Sequence, residues 1–383
     1  MQADTLIIGA GLAGASVAAQ LAPHERVLVL DQAAQPGAEA TSQNAGMVRR
    51  MGEDPWERAL AIRTHAMMVE QGLGRHTGAM LLLGRDPHHL HDAAAHLRAR
   101  ALPVEACDRP AELAPALQGA PFAHAWWLPE ERVADPHELM TRFLTTARSH
   151  GAKIRCNTTV DELLTESGRV TGVRVGSEQI QVGRVVLAAG AWSSALAAKA
   201  GLHRPLIPLR RTLLQSAKHP LSGPIHPWCW FDDVGIYARP ESGGWLVSGC
   251  DEAVDPPSAG PGSRGPVDAL HRALAHDKLD RWMPALSDLR FTTGWTGLRT
   301  FAPDRRPFLG ADGELAGLWW AAGLGGFGVT CSIAVGEALA AWMRGKAVDW
   351  LRPQGVSPSR ALLSRWPVRT DGDVHGSTLM DVQ

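Results

Sequence analysis

The sequence predicts an α/β fold of two interlocking lobes, one on a parallel sheet and one, inserted into it, on an antiparallel sheet. Three observations predict this. Short apolar runs of the kind buried in parallel sheets recur at residues 27–30, 185–189 and 318–322. Strand-like runs broken by turns collect instead between residues 206 and 294. At 383 residues the chain is long enough for both lobes to share a core.

The first lobe opens at once. An apolar run from Thr5 to Ile8 leads into Gly9-Ala-Gly-Leu-Ala-Gly14, an alanine-rich helical stretch through Leu21, and a second apolar run ending at Asp31. Strand, glycine turn, helix, strand and acid make one complete Rossmann-like dinucleotide unit. Gly9 allows the tight turn, Gly11 lets the backbone approach a pyrophosphate, and Gly14 lets helix pack on strand. The helix start at Leu12 and Ala13 offers N–H donors and a positive dipole end to phosphates. Asp31, followed by Gln32, is placed to accept hydrogen bonds from an adenosine ribose. On this motif alone the cofactor is NAD or FAD.

Further elements belong with that unit. Residues 170–175 and 179–182 alternate as a small meander before the run at 185, and a helical pattern from Thr330 to Met343 follows the run at 318. We therefore expect residues 1–75, 139–205 and 295–352 in the first lobe. The second lobe takes 76–138 and 206–294, and 353–383 is a loosely held polar tail.

Composition excludes several classes. Net charge is -1, with 45% hydrophobic and 20% charged residues, so no global pull toward nucleic acid or an anionic membrane is expected. The five cysteines are scattered without a Cys-x-x-Cys pair, which suits a reducing cytoplasm and predicts neither disulfides nor a zinc site. No apolar run reaches the roughly 18 residues of a membrane span, and the opening has no signal-peptide pattern, although peripheral membrane contact stays open. His88, His89 and His91 lie in a polar loop without acidic neighbours and are expected to be solvated surface histidines, so no metal is predicted.

Four segments decide between the cofactors. Thr41-Ser-Gln-Asn-Ala-Gly46, Ala188-Ala-Gly-Ala-Trp192, Gly297-Leu-Arg-Thr-Phe-Ala-Pro-Asp304 with Arg306-Pro307, and Gly323-Leu-Gly-Gly-Phe-Gly328 occur in this order along the chain. They resemble the motifs of the D-amino-acid oxidase (DAO) family of FAD enzymes. Within it, Gln35-Pro-Gly37, Arg210-Arg211, Gly297-Leu-Arg299 and Gly325–Gly328 look most like the bacterial D-arginine dehydrogenase branch.

The resemblance implies non-covalently bound FAD, because the cysteine that tethers flavin in sarcosine oxidases has no counterpart near Gly297. It assigns Thr41, Ser42, Gln43, Asn44, Ala45, Gly46, Met47, Val160, Ala189, Gly190, Trp192 and Arg299 to the flavin nucleotide. Gly325, Gly326, Phe327 and Gly328, ahead of a helix, would face the flavin pyrimidine ring, where N–H groups stabilise developing charge. Arg299 becomes the ligand of a substrate carboxylate, a task for which the guanidinium fork is suited. Tyr237, the single tyrosine, becomes a pocket residue that holds the carboxylate or helps remove the amine proton. Arg211 and Arg49 are further candidates for the carboxylate, with surface charges as the alternative.

The implied activity is oxidation of a D-amino acid, with transfer of the α-hydrogen as hydride to flavin N5 and release of a 2-oxo acid and ammonia. Oxidation of a secondary amine or a 2-hydroxy acid, and a flavin-binding subunit without turnover, are the alternatives. Departures from the D-arginine branch at Met47, Gly52 and Met80 predict a side chain that is not cationic. Val247 stands where sarcosine oxidases carry an oxygen-activating lysine, which favours a dehydrogenase passing electrons to a quinone or another acceptor over one using O2.

Overall fold

The computed structural model describes residues 3–86, 88–223, 225–257 and 267–356. The part of the expected tail beyond residue 356 lies outside the described residues.

The first lobe is a six-stranded sheet in the order Phe308–Ala311, Leu318–Ala322, Arg184–Leu187, Thr5–Ile8, Val27–Leu30, Lys153–Arg155. All neighbours are parallel except the first pair. Thr5–Ile8 and Val27–Leu30 are buried along their whole length, since helices cover one face and the meander Glu162–Glu166, Arg169–Val175, Glu178–Gln181 covers the other. The helix Leu12–Leu21 returns over the sheet and packs against Ser332–Met343 and Pro136–Ser149. Gly14 permits that return, because a Cβ there would lie 2.0 Å from the Gly9 carbonyl oxygen.

The second lobe is an eight-stranded sheet in the order Phe291–Phe301, Ile207–Ser216, Gly244–Ser248, Ile236–Glu241, Trp228–Phe231, Ala79–Leu83, His124–Leu128, Glu105–Ala106. It is antiparallel with one exception. Trp228–Phe231 runs parallel to Ala79–Leu83, where the two inserted pieces of chain meet. The lobe boundary expected at residue 295 falls inside the strand Phe291–Phe301, which pairs along Ile207–Ser216. The 3-10 turn Asp349–Gln354 and the buried Val356 carry the packed chain slightly beyond residue 352. Among the described residues, no helix is long and apolar enough to cross a membrane, and all five cysteines are free.

Thr5–Ile8 is the strand at which the parallel sheet changes direction of winding, so its carboxyl end opens a crevice. The second sheet closes over that crevice.

Candidate active site

A cavity of about 1800 Å3 fills the crevice, larger than the roughly 300–1,000 Å3 of ordinary small-ligand pockets. At one end lie Gly9, Gly11, Leu12, Ala13, Asp31, Gln32 and Val160. The helix starting at Leu12 has no acidic residue in its first turn, so its positive end is left uncompensated, as an anionic pyrophosphate requires. The Asp31 carboxylate is fixed by the N–H groups of Ala10 (2.7 Å) and Ala33 (2.8 Å). Thr41 Oγ1 accepts from the Leu12 N–H at 3.0 Å, tying the flavin-type loop to the glycine turn.

Further along the cavity stand Gln43, Asn44, Ala45, Met47, Ala189, Gly190, Trp192 and Gly325, Gly326, Phe327 and Gly328. Three expected contacts are not on its wall. Gly14 lies under the helix, Ser42 turns its hydroxyl back to the carbonyls of Ala38 and Glu39, and Gly46 packs against the Ala134 carbonyl. Gly325–Gly328 forms a loop, and its helix starts only at Ser332. The fold thus brings together a phosphate-binding end, a loop of flavin-contacting type and a polar far end, which fits FAD.

The far end is cationic. Arg211 projects from Ile207–Ser216 and Arg299 from the neighbouring Phe291–Phe301, where Leu209 pairs with Arg299 and Arg211 with Gly297. Arg210, one residue earlier, points the other way to His271 (2.8 Å), as strand alternation dictates. Both cavity arginines donate to one acid, Glu252, from Arg211 Nη2 at 3.0 Å and from Arg299 Nη1 at 3.1 Å. The Nε atoms of both are buried without a hydrogen-bond partner. Tyr237 is 5% exposed, and burial pushes its hydroxyl up to about 12 against the pull of Arg211, so it stays a donor at neutral pH.

Arg49 is buried too, but its charge is committed. It pairs with Asp232, and its guanidinium lies 4.3 Å from the Trp230 ring centroid and 4.9 Å from that of Phe327. His89 corrects the expectation of a solvated imidazole. Its Nδ1 lies 2.8 Å from Glu53 and its Nε2 2.9 Å from Asp232, acids supplied by segments distant in sequence. Burial works against ionisation of Asp232, yet Arg49 and His89 hold it down to about 2. No cluster of three potential metal ligands occurs among the described residues.

Two register-based expectations are also corrected. Met80 and Val247 are fully buried in the core of the second lobe, away from the cavity. The cavity does hold a lysine, Lys278, from the helix Ala269–Trp282. Its Nζ donates to the carbonyls of Val234 (3.0 Å), Gly235 (2.7 Å) and Gly249 (2.8 Å). Glu57, another wall residue the sequence did not mark, follows the Asp54-Pro55 helix start and is 8% exposed. Burial pushes its carboxyl up to about 8.

Comparison with known proteins agrees with this arrangement. The chain is 31% identical over 242 residues to 4-methylaminobutanoate oxidase (formaldehyde-forming) of Paenarthrobacter nicotinovorans, covering 62% of this chain and 29% of that protein. It is 29% identical over 256 residues to D-amino acid dehydrogenase of Bradyrhizobium diazoefficiens, covering 66% and 59%. The chain thus spans less than two thirds of either relative. Among solved structures, L-proline dehydrogenase from P. horikoshii superposes with a TM-score of 0.80 at 25% identity, over 94% of this chain and 97% of that one. Iminodiacetate oxidase from Chelativorans sp. BNC1 gives 0.74 at 26%, over 90% and 96%. Residues 4–342 match the DAO family, described as FAD dependent oxidoreductase, and the chain belongs to that family.

Proposed function

We propose that the chain oxidises a D-amino acid at its α-carbon, releasing a 2-oxo acid and ammonia. The observation that carries this is the pair Arg211 and Arg299, two guanidinium groups from adjacent strands held on one acid at the wall of a cofactor-sized cavity. A guanidinium carries five N–H donors, and two of them sharing a single acid keep terminal donors for a substrate carboxylate. Tyr237 adds a hydroxyl donor beside them. Arg49, neutralised by Asp232 and roofed by Trp230 and Phe327, forms a side wall and leaves the carboxylate to the other two.

FAD, when bound, supplies a two-electron acceptor for the α-hydrogen and its bonding pair. The chain's own residues orient the substrate. Arg211 and Arg299 hold the carboxylate, which fixes where the α-carbon lies. With Tyr237 kept protonated, the amine enters the reaction as the neutral base drawn from solution, and the imine product is hydrolysed by water.

We further propose a dehydrogenase that passes electrons to a quinone or a similar acceptor. All three Nζ–H groups of Lys278 are taken up by carbonyls, so none is left to activate oxygen. Oxidation of a secondary amine is the alternative, supported by relatives named for 4-methylaminobutanoate and iminodiacetate.

Anaerobic addition of D- and L-amino acids, N-methyl amino acids and 2-hydroxy acids to the flavoprotein tests the proposal. Bleaching of the flavin by D-amino acids with neutral or acidic side chains is expected. Bleaching by N-methyl amino acids alone would replace the substrate class, and D-arginine or D-lysine as best substrate would overturn the side-chain assignment.

A further inference from the structure

Glu252 is the one acid that the cationic end of the cavity holds in place. Its carboxylate accepts from Arg211 Nη2 (3.0 Å), Arg299 Nη1 (3.1 Å) and Arg305 Nη2 (2.5 Å). These three guanidinium groups come from two strands and a turn and meet on this one carboxylate.

The backbone that carries Glu252 is fixed on both sides. The Asp251 carboxylate accepts from the Thr212 N–H (2.7 Å) and hydroxyl (2.9 Å). The Ala253 carbonyl accepts from the Arg210 N–H at 2.8 Å, and the Asp255 N–H donates to Pro208 at 3.0 Å. The segment therefore runs as an extended edge along Ile207–Ser216, with Asp251 directed to Thr212 and Glu252 to the cavity. Glu252 cannot leave by a swing of its loop without breaking these bonds.

One carboxylate is shared by three guanidinium groups, so none of them has it to itself. Each of the two deeper arginines donates to Glu252 from a single terminal nitrogen. A guanidinium anchored by one Nη–H keeps further terminal N–H donors for a second acceptor.

We propose that Glu252 is a positioning residue for the substrate carboxylate. It clamps Arg211 and Arg299 to one another, so that their remaining terminal N–H groups are held at the cavity wall for a single carboxylate of the ligand. The proposal rests on the amino-acid reading given above. Glu252 stays in place when the ligand binds, and the ligand adds a second carboxylate to the one that the arginines share.

The test uses the flavin-loaded full chain with Glu252→Ala and Glu252→Gln. Propionate, which has the carboxylate but no amine to oxidise, is titrated calorimetrically, and KM and kcat are measured with the best amino-acid substrate. The expected result is a rise in the propionate Kd and in KM by about tenfold or more in Glu252→Ala, with kcat changed far less. Glu252→Gln, which keeps a carbonyl acceptor, should lie between. Tighter propionate binding in either variant would mean that Glu252 competes with the ligand, and unchanged binding would mean that it does nothing for it; both overturn the proposal. Should Glu252→Ala lose its flavin, Glu252→Gln decides by the same criteria. Propionate binding by the unaltered chain with no change in the variants sinks this inference alone. No binding by the unaltered chain sinks the amino-acid reading with it.

Discussion

The guanidinium of Arg299 occupies the space that a side chain on Gly326 would take. A Cβ at that position would lie 2.3 Å from Arg299 Nη2 and 2.9 Å from Cζ. Both contacts are far inside van der Waals distance, so residue 326 and the arginine cannot both keep their places unless 326 is glycine. The glycine-rich loop thereby sets the place of Arg299, the arginine proposed to hold the substrate carboxylate.

Gly326→Ala should displace the arginine while leaving the phosphate-binding end untouched. We expect kcat/KM for amino acids to fall by about 100-fold with flavin content retained. Unchanged kinetics would show that Arg299 has another position of equal use.

Asp232→Asn should leave Arg49 as a buried cation without its acid. The expected loss is about 3 kcal/mol of stability, read by urea unfolding. Because the Asp232 carboxyl is held down to about 2 in the folded chain, its contribution is complete above the ordinary carboxylate range and fades as pH falls toward 2. The variant and the parent should therefore converge in stability at low pH. A difference that persists there contradicts this assignment.

Glu57 works with the opposite sign. Burial pushes its carboxyl up to about 8, with Arg49 pulling the other way. A raised carboxyl binds its proton more tightly in the folded chain, so its stability is present below the ordinary glutamate value and is lost as pH rises through 8. Glu57→Gln should stabilise the protein at pH 9 relative to the parent by several kcal/mol, roughly 5 at most, and by less than half of that at pH 6. A pH-independent difference in melting temperature would refute the shift.

If Lys278 is fully engaged by backbone carbonyls, the reduced enzyme should persist in air and be re-oxidised by a quinone. Stopped-flow mixing of the reduced enzyme with aerated buffer checks this. Rapid re-oxidation would make the chain an oxidase.

The nucleotide end was legible because its determinants are local. Gly9, Gly11, Gly14 and Asp31 lie within one strand-turn-helix-strand unit, and each is required by backbone geometry that the sequence spacing reveals. The far end of the cavity was legible only in part. Arg211, Arg299 and Tyr237 do line the cavity, and they could be picked out by resemblance to a family. Glu252 carries no local mark, since its partners lie from 41 to 53 residues away. His89 was misjudged for the same reason: Asp232 is 143 residues further on.

Met80 and Val247 failed differently. Ala79–Leu83 and Gly244–Ser248 are buried at every position, so no polar face sets their phase. A slip of one residue in such a strand exchanges its two faces without any trace in the hydrophobic pattern.

In the proposed reaction, FAD oxidises an α-carbon that the neighbouring carboxylate puts in place. The most direct measurement compares anaerobic flavin bleaching by the best D-amino acid with bleaching by the amine that remains when its carboxylate is removed. Rapid bleaching is expected with the amino acid and, without a carboxylate for the arginines to hold, a rate lower by about 100-fold or more with the amine. Equal rates for the two would contradict the proposed reaction.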